Sequence, residues 1–164
     1  MQLLVIKLKA SGSTPEYSLL GKKQASGNFI ASDWKQIRSL TRGRRVVALI
    51  PANDVVITSV NIPSKNKKQL LQAIPFSLED SLADDIEDLH FAVKQDDTSN
   101  HSQVAIIKRS TLEKHLDTFQ EHGITAHFML PETLGQYYRK DEWSIIFNTN
   151  QESATIRLGE LEGF

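Results

Sequence analysis

The residues whose types could do chemistry are five histidines, one block of acids, one cluster of bases and a serine at a helix start. The histidines are His90, His101, His115, His122 and His127. A metal site needs ligands that converge on one ion, and no pair here has that spacing; His115 and His122 lie two helical turns apart. They read as solvated surface histidines, with His90 beside the core. Ser110 carries a hydroxyl but no G-x-S-x-G turn around it, and a helix cap accounts for it. No phosphate-loop pattern occurs.

Glu79, Asp80, Asp84 and Asp85, followed by Glu87 and Asp88, could attract a divalent cation by charge alone. They lack the alternating ligands and the glycine of a calcium loop. Two readings stay open: a solvated helix end, or a surface for a basic partner. Lys35, Arg38, Arg42, Arg44 and Arg45 form the opposite cluster. Such a cluster would be drawn to anionic lipid at about 1 kcal/mol per residue near a membrane. It would serve equally as an ordinary polar helix face.

Size and composition bound these readings. With 164 residues, the chain is long enough for one domain or two small ones. A hydrophobic content of 40% and a charged content of 24% are those of a soluble globular chain. The net charge of −1 gives no general attraction to nucleic acid. The absence of cysteine excludes disulfides and thiolate-bound zinc. No apolar run approaches the roughly 20 residues of a membrane span, and the start lacks a signal peptide's apolar core.

The elements that must position these residues follow from periodicity. Strands are expected over 3–8, 16–20 and 28–31, the first two joined by a turn over 11–15. Ser32 is expected to cap a short helix with Trp34, Ile37 and Leu40 inward and Gly43 at its end. A strand over 46–50 stops at Pro51, and residues 51–54 have turn chemistry. Residues 55–62 alternate as a strand. A helix follows, with Leu71, Ile74, Leu78 and Leu82 on one stripe. Strands over 89–93 and 103–108 flank a polar loop. Ser110 and Glu113 predict a capping box on a helix with Leu112, Leu116 and Phe119 inward and Gly123 as its stop. A strand over 126–130 completes a β-α-β-β-α-β order. Pro131 is expected to begin a short helix carrying Leu134, Tyr137 and Tyr138. Strands over 143–147 and 154–158 then close a hairpin, with Thr155 and Arg157 on one face.

The charges on the helix near residue 74 run against its dipole. Lys65, Lys67 and Lys68 fall in its first turn and the acids at its end, a loss of roughly 0.3–1 kcal/mol per exposed charge. Pro75 inside it is expected to kink or split it, at about 3 kcal/mol. Local rules broken together point to a functional constraint.

This same stretch carries a resemblance. Ile50-Pro51-Ala52, the Ala73-Ile74-Pro75-Phe76 helix with its acidic tail, Glu87-Asp88-Leu89-His90-Phe91 and the Leu158-Gly159-Glu160 and Glu162-Gly163-Phe164 ending resemble the cytoplasmic part of the protein L family of bacterial type II secretion. The similarity runs along essentially the whole chain. It implies an α/β, actin-like (ribonuclease H-like) fold that is interrupted. Residues 1–50 would be the first actin-like subdomain and 51–130 an inserted β-α-β-β-α-β subdomain. Residues 131–164 would be a connecting helix and the opening hairpin of a second lobe, which breaks off before its end. Family members continue through more cytoplasmic chain, one membrane helix and a periplasmic domain. The chain is therefore expected to be a soluble N-terminal fragment, anchored only through a helix it does not contain.

An actin-like ATPase grips phosphates with two strand-turn-strand loops, each an acid followed by glycine-rich turns. Here Lys7 stands at the first acid position, and the turn over 148–151 holds neither acid nor glycine. Backbone approach to phosphate depends on glycine. The resemblance thus implies the fold without the ATP site: no catalytic residue, no cofactor, no metal. It implies a scaffold that recruits the secretion ATPase, protein E, to the cytoplasmic face of the inner membrane, and links it to protein M through parts beyond this chain. Family members also self-associate, so a homodimer is expected, and no nucleic acid. Glu79, Asp80, Asp84 and Asp85 become candidate partner-binding residues, and Lys35, Arg38, Arg42, Arg44 and Arg45 candidate lipid-facing ones. The alternatives are a divergent actin-like ATPase and a module that binds anionic membrane surfaces.

Overall fold

The computed structural model describes residues 2–9, 14–21, 28–63, 66–95, 100–148 and 153–163. Residues 11–13 of the expected turn over 11–15, residues 149–151 of the turn expected over 148–151, and Lys65 lie outside the described residues.

The chain opens with β1 (Leu3–Lys7), β2 (Glu16–Leu20) and β3 (Ile30–Ala31), which pair antiparallel in sequence. Leu4, Ile6 and Leu8 alternate onto one face of β1 and are buried, as the period of two requires. Helix α1 (Trp34–Leu40) follows. Its cap is Asp33, whose carboxylate accepts from the Gln36 N–H at 2.7 Å. Ser32, the expected cap, stands one residue too early and donates its hydroxyl to the Gln36 side chain at 2.7 Å instead. Trp34, Ile37 and Leu40 do face inward, with Ile37 fully buried. Strand β4 (Arg45–Ile50) returns parallel to β1.

A single turn of 3-10 helix, Ala52–Asp54, then leads to β5 (Val55–Asn61). Helix α2 (Lys67–Leu78) is capped by Asn66, which accepts from the Lys68 N–H at 2.9 Å. Its buried stripe is Leu70, Ile74 and Leu78, spaced by four residues, whereas Leu71 is exposed. Sequence offered two adjacent leucines for one position, and contact with the sheet selects Leu70. Pro75 lies inside α2 but neither splits nor ends it; the helix runs three residues further. The acids are not all at its end. After Leu78 the chain tightens into a 3-10 turn, Glu79–Ser81, bends, and forms another, Ile86–Asp88. Only Glu79 and Asp80 therefore oppose the α2 dipole.

Strands β6 (Leu89–Gln95) and β7 (His101–Lys108) are longer than expected and take up Lys94, Gln95, His101 and Ser102; residues 96–99 lie outside the described residues. Strand β7 lies between β5 and β6, antiparallel to both. Helix α3 (Arg109–Glu121) begins without a loop, so its flanking residue is Lys108, no side chain caps it, and Ser110 falls inside the first turn. Its end is as expected. Gly123 has φ +62°, its N–H donates to Gln120 O, and the Ile124 N–H donates to Phe119 O, both at 2.9 Å. Those are the two bonds of a Schellman stop, and Phe119 and Ile124 supply its apolar contact in the core.

Strand β8 (Phe128–Pro131) then pairs parallel to β4. The expected β-α-β-β-α-β order is present along the chain, but its last strand joins the first sheet, and Phe119 of α3 packs in the first core. The first sheet thus reads β3-β2-β1-β4-β8 and the second β5-β7-β6. Pro131 ends β8 rather than starting a helix; a 3-10 turn, Glu132–Gly135, follows, and Tyr137 and Tyr138 lie beyond it. Strands β9 (Ser144–Asn148) and β10 (Ser153–Arg157) form a separate antiparallel pair.

Two cores result. Leu4, Ile6, Leu8, Val46 and Ala48 meet Ile37, Phe119 and Ile124, which places α1 and α3 over one face of the five-stranded sheet. Leu70, Ile74 and Leu78 meet Val60, Leu89, Val104 and Ile106 on the three-stranded sheet. Polar contacts join the units. The His115 Nε2 of α3 lies 2.9 Å from Asp54 Oδ2, at the link between the two sheets. Lys94 reaches Glu160 at 3.6 Å, and the Gln103 amide donates to Glu162 at 3.3 Å, tying the segment after β10 to the second sheet.

Candidate functional site

Lys7 faces away from the first core, into a cleft of about 50 Å³ lined with Leu49, Glu132, Gln136, Ile146 and Thr155 among others. Its Nζ lies 3.6 Å from Glu132 Oε2. The other carboxylate oxygen of Glu132 accepts from the Thr155 hydroxyl at 3.1 Å, and the Gln136 amide donates to Thr155 O at 3.1 Å. The position that resemblance assigns to a metal-organising acid therefore holds an ammonium group already matched to a carboxylate. Three elements meet there: β1, the turn after β8, and β10.

Beside this cleft Arg157 is the residue that sequence reasoning passed over. Strand alternation put it on one face with Thr155 but did not say which face is buried. Both are. The Arg157 guanidinium donates to four backbone carbonyls, those of Gly159, Leu134, Gln136 and Glu160, at 2.5–3.0 Å. It also lies 5.1 Å from the centre of the Tyr138 ring. Burial holds its pKa below the usual arginine value, a shift that Tyr138 and Glu160 offset only in part. Its five fixed donors match an irregular backbone that has no strand partner to satisfy it.

The histidines do structural work more than expected. His115 pairs with Asp54, His122 stacks on Trp34 with ring centres 4.7 Å apart, and His127 Nδ1 accepts from the Val46 N–H at 3.1 Å. His115 and His122 are half-buried, whereas His127 is exposed, as expected of a surface histidine, while it accepts that bond. His90 is exposed on β6, not beside the core.

The acidic block is exposed in the 3-10 turns and the bend that follow α2. Glu79, Asp80 and Asp85 have no cation against them among the described residues. Asp84 differs, because Lys108 lies 2.7 Å from it. The basic cluster also divides. Arg44 donates to Leu40 O at 2.8 Å and to Gln2 Oε1 at 3.0 Å, closing the end of α1. The Arg38 guanidinium lies over Gly123. Lys35, Arg42 and Arg45 are exposed with no carboxylate partner among the described residues.

A five-stranded mixed sheet under two helices, interrupted by a smaller sheet with its own helix, is a mixed α/β architecture of the actin-like class. The structure matches the cytoplasmic domain of EpsL, an inner membrane component of the type II secretion system of Vibrio cholerae, with a TM-score of 0.80 and 25% identity. That match covers 100% of this chain and 70% of the other. It also matches a chain of the PilM–PilN type IV pilus biogenesis complex, with a TM-score of 0.60 at 16% identity over 94% of this chain and 56% of that one.

The profile of the type II secretion system protein L family matches residues 18–161, and the chain belongs to that family. It is 34% identical to protein L of Dickeya chrysanthemi over 102 residues, which are 62% of this chain and 25% of that protein. With protein L of Vibrio cholerae serotype O1 it shares 32% identity over 128 residues, 73% of this chain and 31% of the relative. The chain thus spans between a quarter and a third of the length of these relatives. Among the described residues no helix is long and apolar enough to cross a membrane.

Proposed function

We propose that this chain is the cytoplasmic part of a non-enzymatic scaffold in the type II secretion platform. It recruits the secretion ATPase, protein E, to the cytoplasmic face of the inner membrane. Links to protein M run through parts of the protein beyond this chain, and the scaffold self-associates. Within this reading the five-stranded sheet is the actin-like base and the three-stranded sheet an inserted unit. The observation that carries it is the Lys7–Glu132 pair, at 3.6 Å, in the cleft where an actin-like ATPase would hold an acid for its metal. An ammonium group at that point repels a metal ion instead of organising one, and its charge is already matched to Glu132. Glu79, Asp80, Asp84 and Asp85 serve as the docking face, Asp84 less than the others because Lys108 already balances it. The test is a pull-down of protein E with this chain and with the complete cytoplasmic domain. Capture by neither removes the recruitment role.

A second reading has one observation in its favour: Lys35, Arg42 and Arg45 are exposed without carboxylate partners among the described residues. In it, this face rests on anionic lipid while the acidic face points away. Binding to vesicles of anionic phospholipid that falls with added salt is its signature.

A further inference from the structure

One face of α2 is not accounted for by the fold. Phe76 lies two residues beyond the buried Ile74, about 200° round the helix, and is 68% exposed. Leu71 is 43% exposed, beside half-buried Pro75. No charged residue stands between Lys68 and Glu79. A helix that faces water ordinarily carries charge on its outer side. This one presents Gln69, Gln72 and Phe76 there, with Leu71 on the flank about 60° from Ile74. Charge stands only at the two ends of this face, with exposed Lys68 in the first turn and exposed Glu79, Asp80 and Asp85 beyond the last. An uncharged face centred on an aromatic, with charge at its ends, is the arrangement of an interface core and its rim.

We propose that Phe76 is the anchor by which this helix docks the ATPase. The occupant is a segment of that partner with an apolar pocket for the ring and Lys or Arg residues placed to meet Glu79, Asp80 and Asp85. The inference rests on the recruitment reading above and assigns its contact point. Charge complementarity selects the occupant: the acidic edge repels anionic lipid and nucleic acid alike and favours a basic protein surface. Within this chain the only comparable basic face among the described residues is that of Lys35, Arg42 and Arg45, which makes a second copy the competitor to exclude.

The experiment measures binding of the purified secretion ATPase from the same bacterium to the wild-type chain and to Phe76→Ala, Phe76→Tyr and Leu116→Ala. Leu116 is the control, an exposed apolar residue on α3. Phe76→Ala is expected to weaken binding by about 30-fold, the scale of an interface hot spot, mainly through faster dissociation. Its melting temperature should not change, because the ring faces solvent. Phe76→Tyr keeps the ring and should retain most of the affinity, and Leu116→Ala should stay within about 2-fold of wild type. Wild-type binding with no loss in Phe76→Ala overturns the anchor and leaves recruitment standing. Loss in Phe76→Ala that Phe76→Tyr does not restore overturns the ring's role. No binding by the wild type defeats recruitment and the anchor with it. Sedimentation of each protein alone supplies the last outcome: self-association that disappears in Phe76→Ala while ATPase binding persists assigns the face to a second copy and overturns the proposal.

Discussion

Lys7 Nζ stands 3.6 Å from Glu132 Oε2, while the other oxygen of that carboxylate accepts from Thr155. One ion pair thus spans β1 and the turn after β8, with β10 attached to it by a hydrogen bond. The resemblance to actin-like ATPases assigns the Lys7 position to an acid. We predict that the complete domain shows no rise in melting temperature with millimolar ATP and magnesium. A ligand at 100 times its dissociation constant would add about 2.7 kcal/mol. For a domain of this size that is a rise of about 5–10 °C, taking 2–4 °C per kcal/mol. A rise of that size would sink the non-enzymatic reading.

The helix caps make a second prediction, in which two residues change places relative to sequence expectation. Asp33 holds the Gln36 N–H at 2.7 Å, and Asp33→Ala should cost about 1 kcal/mol of stability. Ser110 caps nothing, so Ser110→Ala should stay within about 0.5 kcal/mol of wild type. Denaturant melts of the two variants decide the matter; a larger loss in Ser110→Ala than in Asp33→Ala would contradict the assignment.

Those two residues also mark where sequence reading reaches its limit. Strand β2 was legible to the residue, because Glu16–Leu20 is bounded by Pro15 and Gly21. The inward face of α1 and the Gly123 stop were legible too, since periodicity and a left-handed turn are local facts. Ser110 misled because a strand that runs straight into a helix leaves no loop for a cap, and that junction depends on how far β7 is paired. Leu70 and Leu71 are equivalent by composition, and only the sheet beneath α2 distinguishes them. The partner of β8 is β4, some 80 residues earlier in the chain, a pairing that no local pattern encodes. At the site, loss of the phosphate-loop residues was visible in Lys7 itself. Its ion pair with Glu132 and the four carbonyls on Arg157 were not, because they require knowing which side of the β9–β10 pair is buried.

Gly123 yields a third prediction. Its φ of +62° is a conformation that costs an L-residue roughly 1–2 kcal/mol. An added Cβ would also stand 3.0 Å from Arg38 Cζ, although that flexible side chain can shift away. Gly123→Ala should therefore destabilise by about 1–2 kcal/mol, most of it from the backbone. Gly123→Asn should lose less, since Asn tolerates the left-handed region better. Equal losses in the two variants would mean that contact with Arg38, rather than backbone conformation, sets the cost.

The acidic block yields the last prediction. Glu79, Asp80 and Asp85 are exposed and unpaired among the described residues, whereas Asp84 is held by Lys108 at 2.7 Å. Charges at the edge of an interface act mainly on association rate and its salt dependence. Glu79→Gln, Asp80→Asn and Asp85→Asn together should slow association with protein E, most visibly at low salt, where the screening length is about 30 Å at 0.01 M against 8 Å at 0.15 M. The fold should hold or gain slightly, because Glu79 and Asp80 follow the C-terminal end of α2 and oppose its dipole. Asp84→Asn alone should behave differently. It removes a surface ion pair worth about 0–1 kcal/mol and releases the Lys108 charge beside the docking face. Its effect on association should be no larger than one lost charge gives and smaller than that of the triple variant. Stopped-flow association at two ionic strengths, beside a melt of each protein, separates these outcomes. Unchanged association of the triple variant at low salt would leave the block as a solvated helix end.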